Sequence, residues 1–169
     1  MSETPGGEYN LARRIDLAFQ VMNYNQGFVT FVDGKANSLL VVNSIILATS
    51  GSSSLAGSRL ALAALAAATV AILLCLSVVF ARHPKPAKRD KARLAFFAHI
   101  LQRSNWSQYQ HDLEEVEPDQ LLASFAHQVH DLAAVVDKKF AAYRRAQTAT
   151  FLATGLWIAT LAVPVLRGL

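Results

Sequence analysis

An acidic and a basic side chain lie two residues apart at the start of the first long apolar stretch, in Phe31-Val32-Asp33-Gly34-Lys35-Ala36. A carboxylate and an ammonium at this point could bind a ligand or hold a gate. Asp33 could equally cap a helix by accepting a backbone N–H bond, and Lys35 could extend its ammonium to lipid headgroups. Composition alone favours these structural roles.

The residues that usually carry catalysis or bind metals form no complete set. His127 and His130 are one turn apart on a helix, but no cysteine or carboxylate pattern completes a metal site. Ser124 has no evident histidine and acid partners for nucleophilic chemistry, and no glycine-rich phosphate loop of the usual spacing is present. The sequence therefore predicts no enzymatic activity, no metal and no bound cofactor.

Three uncharged stretches, at 36–58, 60–81 and 146–166, must position any functional side chains. Each is long enough to cross a bilayer, which takes about 20 mostly apolar residues. Hydrophobic residues make up 53% of the 169-residue chain, so too little polar sequence remains to enclose three such helices in a soluble core. The fold class that we predict is an all-α membrane protein with three transmembrane helices and a cytoplasmic helical portion.

The cytoplasmic portion is expected to contain an N-terminal amphipathic helix over 8–30, interrupted at Gly27, and two helices between spans two and three. The first of these two covers about 88–106, and an acidic connection at 111–118 follows. The predicted domains are 1–35 (N-terminal helix), 36–81 (transmembrane hairpin), 82–145 (sensor segment) and 146–169 (third span).

The second cytoplasmic helix is predicted to begin near Pro118, a residue favoured in the first turn of a helix. Its apolar side chains recur in steps of three and four and indicate a seam that requires a partner helix. They are Leu122, Phe125, Val129, Leu132, Val136, Phe140 and Tyr143. No glycine or proline separates this helix from span three, so we expect one helix that runs unbroken into the membrane.

The basic residues predict the orientation of the chain. Arg59 is the only one between spans one and two, whereas several precede span one and flank the segment between spans two and three. By the positive-inside rule, the N-terminus and the middle segment face the cytoplasm and the C-terminus lies outside, across the inner (cell) membrane. The net charge of +4 thus serves the lipid surface rather than a nucleic-acid polymer.

Small and polar residues within the spans predict close helix packing. Ala63, Ala67 and Ala71 follow one face of span two, and Gly155 and Ala159 follow span three. Such spacing lets helices approach closely in lipid. Asn43 in span one is costly to leave facing lipid and is expected to bond across a helix interface. These features predict a homo-oligomer, with packing inside one protomer as the alternative.

The motif around Asp33 resembles the aromatic-x-Asp-x-Lys-Ala motif of the Pycsar effector transmembrane family, although Gly34 replaces an expected Thr or Ser. The similarity extends to the two closely spaced spans, to Leu94-Ala95-Phe96-Phe97, and to Asp137-Lys138-Lys139-Phe140 before the last span. The resemblance implies an effector of bacterial antiphage defence. Such an effector senses cyclic CMP or cyclic UMP from a partner cyclase and impairs the inner membrane, which arrests growth.

The resemblance directs attention to charged and aromatic residues near the inner boundary. The basic ones could pair with the nucleotide phosphate and an aromatic ring could stack on the base. The candidate ligand-binding residues are Asp33, Lys35, Lys138, Tyr143, Arg144 and Arg145. The alternative is that the basic residues only anchor the spans and the aromatic ring belongs to the core.

Two other classes of protein fit the same sequence. One is a small channel subunit with constitutive activity, and the other is a membrane scaffold whose seam recruits a cytoplasmic partner. Dependence on a nucleotide ligand separates the effector from both.

Overall fold

The computed structural model describes residues 5–50, 58–80, 100–101 and 103–167. The secondary structure of these residues is helical, in α1 (Pro5–Ser50), α2 (Arg59–Val79), α3 (Trp106–Glu115) and α4 (Pro118–Arg167). Within the described part of the chain, α1, α2 and α4 are each long and apolar enough to cross a membrane. The predicted all-α fold with three spanning helices is therefore confirmed.

Helix α1 continues through Gly27, so the predicted interruption there is wrong. One glycine costs a helix only about 1 kcal/mol relative to alanine, which is too little to break a helix with good helix formers on both sides. Leu11, Ile15, Ala18 and Met22, which recur at helical spacing, are all half-buried. The apolar residues Leu17, Phe19 and Val21, which the sequence suggests would broaden this face, are exposed.

Helix α4 begins at Pro118 and runs without a break to Arg167, as the sequence predicts. All seven apolar residues of its predicted seam are half-buried. α1 and α4 each contribute residues to two compact units. Unit 1 comprises residues 1–28 and 83–136, and unit 2 comprises residues 29–82 and 137–169.

The segment before α4 differs from the prediction. Residues 111–115 belong to α3 rather than to a connection, and the chain bends at 103–105 instead of continuing a helix to Trp106. Asn105 caps α3 by accepting a bond from the backbone N–H of Gln108 at 2.8 Å, and Gln108 accepts one from the backbone N–H of Ser104 at 3.0 Å. These reciprocal bonds start a helix at a place where the pattern of apolar residues alone predicts that a helix ends.

Most of the helix predicted at 88–106 and the residues 51–57 of span one lie outside the described residues.

Unit 1 contains a contact between α1 and α4. The rings of Phe19 and Phe125 meet edge to face with their centroids 6.2 Å apart. Aromatic pairs favour this geometry, which adds to the burial of the two rings. The N-terminal part of α1 therefore packs against α4 within unit 1.

Unit 2 is built around a narrow buried face on α2. Its members are small and recur every three or four residues: Ala61, Ala64, Ala68, Ala71, Cys75 and Val78. Ile46 of α1 and Ala153 of α4 form one apolar cluster with Ala68. Small side chains let the three backbones approach closely, which replaces the hydrophobic effect as the packing force in lipid.

The predicted small-residue faces coincide only in part with this buried surface. Ala71 is fully buried, Ala67 is half-buried and Ala63 is exposed. On α4, Gly155 is exposed and Ala159 is half-buried. The buried face of α2 shares Ala71 with the predicted one, but it includes Ala64 and Ala68 in place of Ala63 and Ala67.

Asn43 joins two of the spanning helices. Its side chain is completely buried, and its Nδ2 donates to Thr150 Oγ1 at 2.8 Å and to the Leu39 carbonyl at 2.8 Å. The expected bond across a helix interface is therefore confirmed, between α1 and α4 of one protomer. By contrast, the exposed Ser44 satisfies its hydroxyl within its own helix by donating to the Leu40 carbonyl.

We predict a positive coupling energy between Asn43 and Thr150. The variants Asn43→Ala, Thr150→Val and the double variant, unfolded reversibly in detergent micelles, should give a coupling of about 0.5–1.5 kcal/mol, as for interhelical bonds in other membrane proteins. Ser44→Ala is the control and should change stability little. Strictly additive effects of the two substitutions would contradict a direct bond.

Candidate functional site

One ammonium group joins the three spanning helices within unit 2. Lys139 Nζ of α4 lies 2.5 Å from Asp33 Oδ1 of α1 and 2.9 Å from the carbonyl oxygen of Val78 in α2. We call this arrangement the Lys139 clamp. The side chain of Lys139 is only 13% exposed and that of Asp33 is 30% exposed, so water has limited access to the pair.

The end of α2 explains why a lysine is needed here. The last four carbonyls of a helix lack an intrahelical N–H partner, and they form the negative end of the helix dipole. Val78 lies in the last turn of α2, which ends at Val79. An ammonium has three donors and no acceptor, so Lys139 satisfies the Val78 carbonyl and the Asp33 carboxylate together.

An apolar shell surrounds the clamp. Val32, Ala36 and Val78 form a buried cluster, and Phe140 and Tyr143 pack against it. Excluding water lowers the local dielectric constant, which strengthens the attraction between the charges and raises the cost of separating them. Two neighbours of Lys139 on α4 therefore protect the bonds that its side chain makes.

The structure gives Asp33 and Lys35 different roles. Asp33 lies in the interior of α1, so the predicted helix-capping role is wrong: the surrounding helix already bonds the backbone N–H groups that it could have capped. Its carboxylate instead accepts the bond from Lys139. Lys35 is exposed, and its Nζ lies 5.3 Å from the centroid of the Phe31 ring, one turn away on the same helix.

The other candidate residues lie on α4. Tyr143 is part of the apolar shell, whereas Lys138, Arg144 and Arg145 are exposed. Arg144 and Arg145 border a shallow depression. Its described lining also includes Ala141, Thr148, Ala149 and Leu152 and comes from α4 alone. Asp33 and Lys35 are therefore not part of this depression.

Lys139 is the central residue of the clamp, and it is absent from the candidate residues predicted from the sequence, although the sequence contains a signal for it. Strict alternation of steps of three and four along the α4 seam leads from Val136 to residue 139 and then to Tyr143. The prediction, which considered apolar residues only, assigned Phe140 to the seam instead of residue 139. A lysine at a seam position requires a carboxylate or carbonyl partner, because an unpaired buried charge is very costly.

Unit 1 contains polar groups of a different kind. Arg103 and Asp112 form a buried ion pair, with Nε and Oδ2 3.0 Å apart, which ties the bend at 103–105 to α3. On α4, Ser124 Oγ and Gln128 Nε2 are buried one turn apart, and neither has a hydrogen-bond partner among the described residues. The described residues contain no group of three His, Cys, Asp or Glu side chains placed to bind a metal.

The comparisons with known proteins identify one family. A family model described as the Pycsar effector protein domain matches residues 17–167, which include the Lys139 clamp and all three spanning helices. No curated protein and no solved structure matches the chain.

We predict that Lys139→Met destabilises unit 2 by about 1–3 kcal/mol, the range for hydrogen bonds to charged groups. The substitution leaves the Asp33 carboxylate and the Val78 carbonyl without their donor. Lys138→Met is the matched control, because its side chain is exposed and loses the same charge. Stability is measured by thermal unfolding in detergent, and equal losses for the two variants would contradict the clamp.

Proposed function

The chain belongs to the Pycsar effector family, and from this premise we propose that it senses cyclic CMP or cyclic UMP and impairs the bacterial inner membrane in response. Family membership supports the coarser part of this function, that of a membrane effector in cyclic-nucleotide-linked antiphage defence. In the proposed sequence of events, a partner cyclase makes the nucleotide on infection. The effector itself needs no catalysis and no cofactor beyond this activating ligand.

The Lys139 clamp is the observation that best supports a switch. It holds α1, α2 and α4 at one point through two bonds of one side chain, so displacing Lys139 loosens all three helices together. A ligand shifts such an equilibrium only if it binds the two arrangements with different affinity. In our proposal, the nucleotide binds more tightly to the arrangement in which the clamp is open.

The remaining candidates differ in the support that they receive. Lys35 and Lys138 are exposed and stay candidates for the phosphate, as do Arg144 and Arg145. Tyr143 contacts the apolar cluster, so stacking on a base would require it to leave that cluster. We propose further that the N-terminus lies in the cytoplasm and the C-terminus outside, as the distribution of basic residues suggests.

Nucleotide binding is the first test. Calorimetric titration of the detergent-solubilised protein should show saturable binding of cyclic CMP or cyclic UMP and none of cyclic AMP or cyclic GMP. Lys35→Ala and Arg145→Ala test the phosphate contacts separately, and unchanged affinity in both removes these residues from the site.

Arg14→Ala is the matched control for this titration, since Arg14 is an exposed basic residue outside the candidate ligand-binding residues. Absence of binding of every nucleotide to folded protein would contradict the proposed sensing. It would favour a constitutive channel subunit or a scaffold.

An exposed face of α1 supports assembly into a homo-oligomer. Within unit 2, this face carries small or polar residues in alternating steps of four and three, with one valine: Thr30, Gly34, Asn37, Val41, Ser44 and Ala48. A spacing of 3.5 residues fits two helices that wind around each other. A side chain added at Gly34 would meet nothing within 4 Å in the protomer, so packing inside the protomer does not require this glycine.

We predict that Gly34→Leu lowers the subunit number without destabilising the protomer. Leucine is the better helix former by up to about 1 kcal/mol, but its side chain would keep a second α1 at a distance. Ala66→Leu is the control, because Ala66 is also exposed, on α2, and lies outside the small-residue faces that predict association. Native mass spectrometry in detergent reports the subunit number, and the same number for both variants would contradict self-association through this face.

A further inference from the structure

One face of α4 changes from basic to apolar within three helical turns. Arg144 and Arg145 border the depression at its N-terminal side, and Leu152 lies at its other end. Arg145 and Leu152 are seven residues apart, which places them on nearly the same face with an axial separation of about 10 Å. The third uncharged stretch begins directly after Arg145, at residue 146. The change in polarity therefore falls where α4 enters the apolar layer.

Two basic residues of unit 2 have contacts within the protein, and the two arginines differ from them in this respect. Lys139 is bonded in the clamp, and Lys35 lies over the Phe31 ring. Arg144 and Arg145 are exposed, and neither forms an ion pair with a carboxylate in the described part of the chain. Two adjacent guanidinium groups therefore have donors available for an anion.

The direction of the helix favours an anion at the membrane surface. In an α-helix, the Cα–Cβ bonds tilt towards the N-terminus. The side chains of Arg144 and Arg145 therefore incline away from the apolar layer, and their guanidinium groups can extend to the level of lipid headgroups. Guanidinium groups bind phosphate with two parallel hydrogen bonds.

We propose that this face of α4 is a binding site for an anionic phospholipid of the leaflet that α4 enters. The lipid phosphate binds Arg144 and Arg145, and the start of an acyl chain lies along Ala149 and Leu152. A free phosphate or a cyclic nucleotide could use only the basic end, whereas a phospholipid matches the whole change in polarity. The charge complementarity and the apolar continuation together identify the occupant.

The site lies close to the clamp on the same helix. Arg144 follows Lys139 by five residues, an axial distance of about 7 Å. A lipid bound there fixes the depth of α4 at the point where Lys139 contacts Asp33 and Val78. The inference requires that α4 enters a bilayer, and it assigns Arg144 and Arg145 to a lipid phosphate instead of the nucleotide phosphate.

The test compares lipids added to the full-length protein in a neutral detergent. Native mass spectrometry should detect phosphatidylglycerol bound more tightly than phosphatidylcholine of the same acyl chains. Arg144→Gln with Arg145→Gln should weaken phosphatidylglycerol binding about 30-fold, the equivalent of ~1 kcal/mol per charge near a membrane surface. Inorganic phosphate and cyclic CMP, each at the lipid concentration, should not displace the lipid.

The matched control is Arg13→Gln with Arg14→Gln, which removes two adjacent exposed arginines from the N-terminal part of α1. This variant should keep the preference for phosphatidylglycerol. The proposal is overturned if both lipids bind equally well, or if the two double variants lose the preference to the same extent. It is also overturned if the Arg144 and Arg145 variant loses nucleotide binding but keeps lipid binding.

Discussion

The bonds of Lys139 are the constraint on which the arrangement of the spanning helices depends. Three helices in lipid gain little from the hydrophobic effect, because the acyl chains are as apolar as the side chains. Their relative position must therefore come from close packing and from polar bonds. Lys139 supplies two such bonds at one point, to the Asp33 carboxylate and the Val78 carbonyl. Neither acceptor could be left without a donor in a setting from which water is largely excluded.

A second polar connection works on the same principle further along the helices. Asn43 and Thr150 join α1 to α4 in a fully buried setting, ten residues beyond Asp33 in α1 and eleven beyond Lys139 in α4. Because the residue numbers increase together in both helices, α1 and α4 run parallel in unit 2. The nearly equal spacing fixes their register, since both helices are unbroken between the two contacts. The alanine face of α2 fits between these connections because its side chains occupy little space.

The sequence was sufficient for the features that depend on long patterns. Uncharged stretches identify spanning helices because bilayer thickness sets their length, and the absence of glycine or proline between Pro118 and the third span predicts the unbroken α4. Features that depend on a partner far along the chain were harder to predict. Asp33 and Lys139 are 106 residues apart. From its neighbours in the sequence alone, Asp33 resembles a residue that caps the start of a helix. The sequence analysis did not predict the start of α3. The signal for this start is the capping pair Asn105 and Gln108, and not a periodic pattern of apolar residues.

The pairing of Asp33 with Lys139 has an electrical consequence in a bilayer that carries a voltage. While the two opposite charges are in contact, their sum is zero, so an electric field across the bilayer exerts almost no net force on them. Separation of the pair would let the field act on each charge individually, with up to about 2.3 kcal/mol per charge for each 100 mV of potential that falls across its path. The paired state is therefore nearly insensitive to the membrane potential, and any separation of the two charges would depend on it.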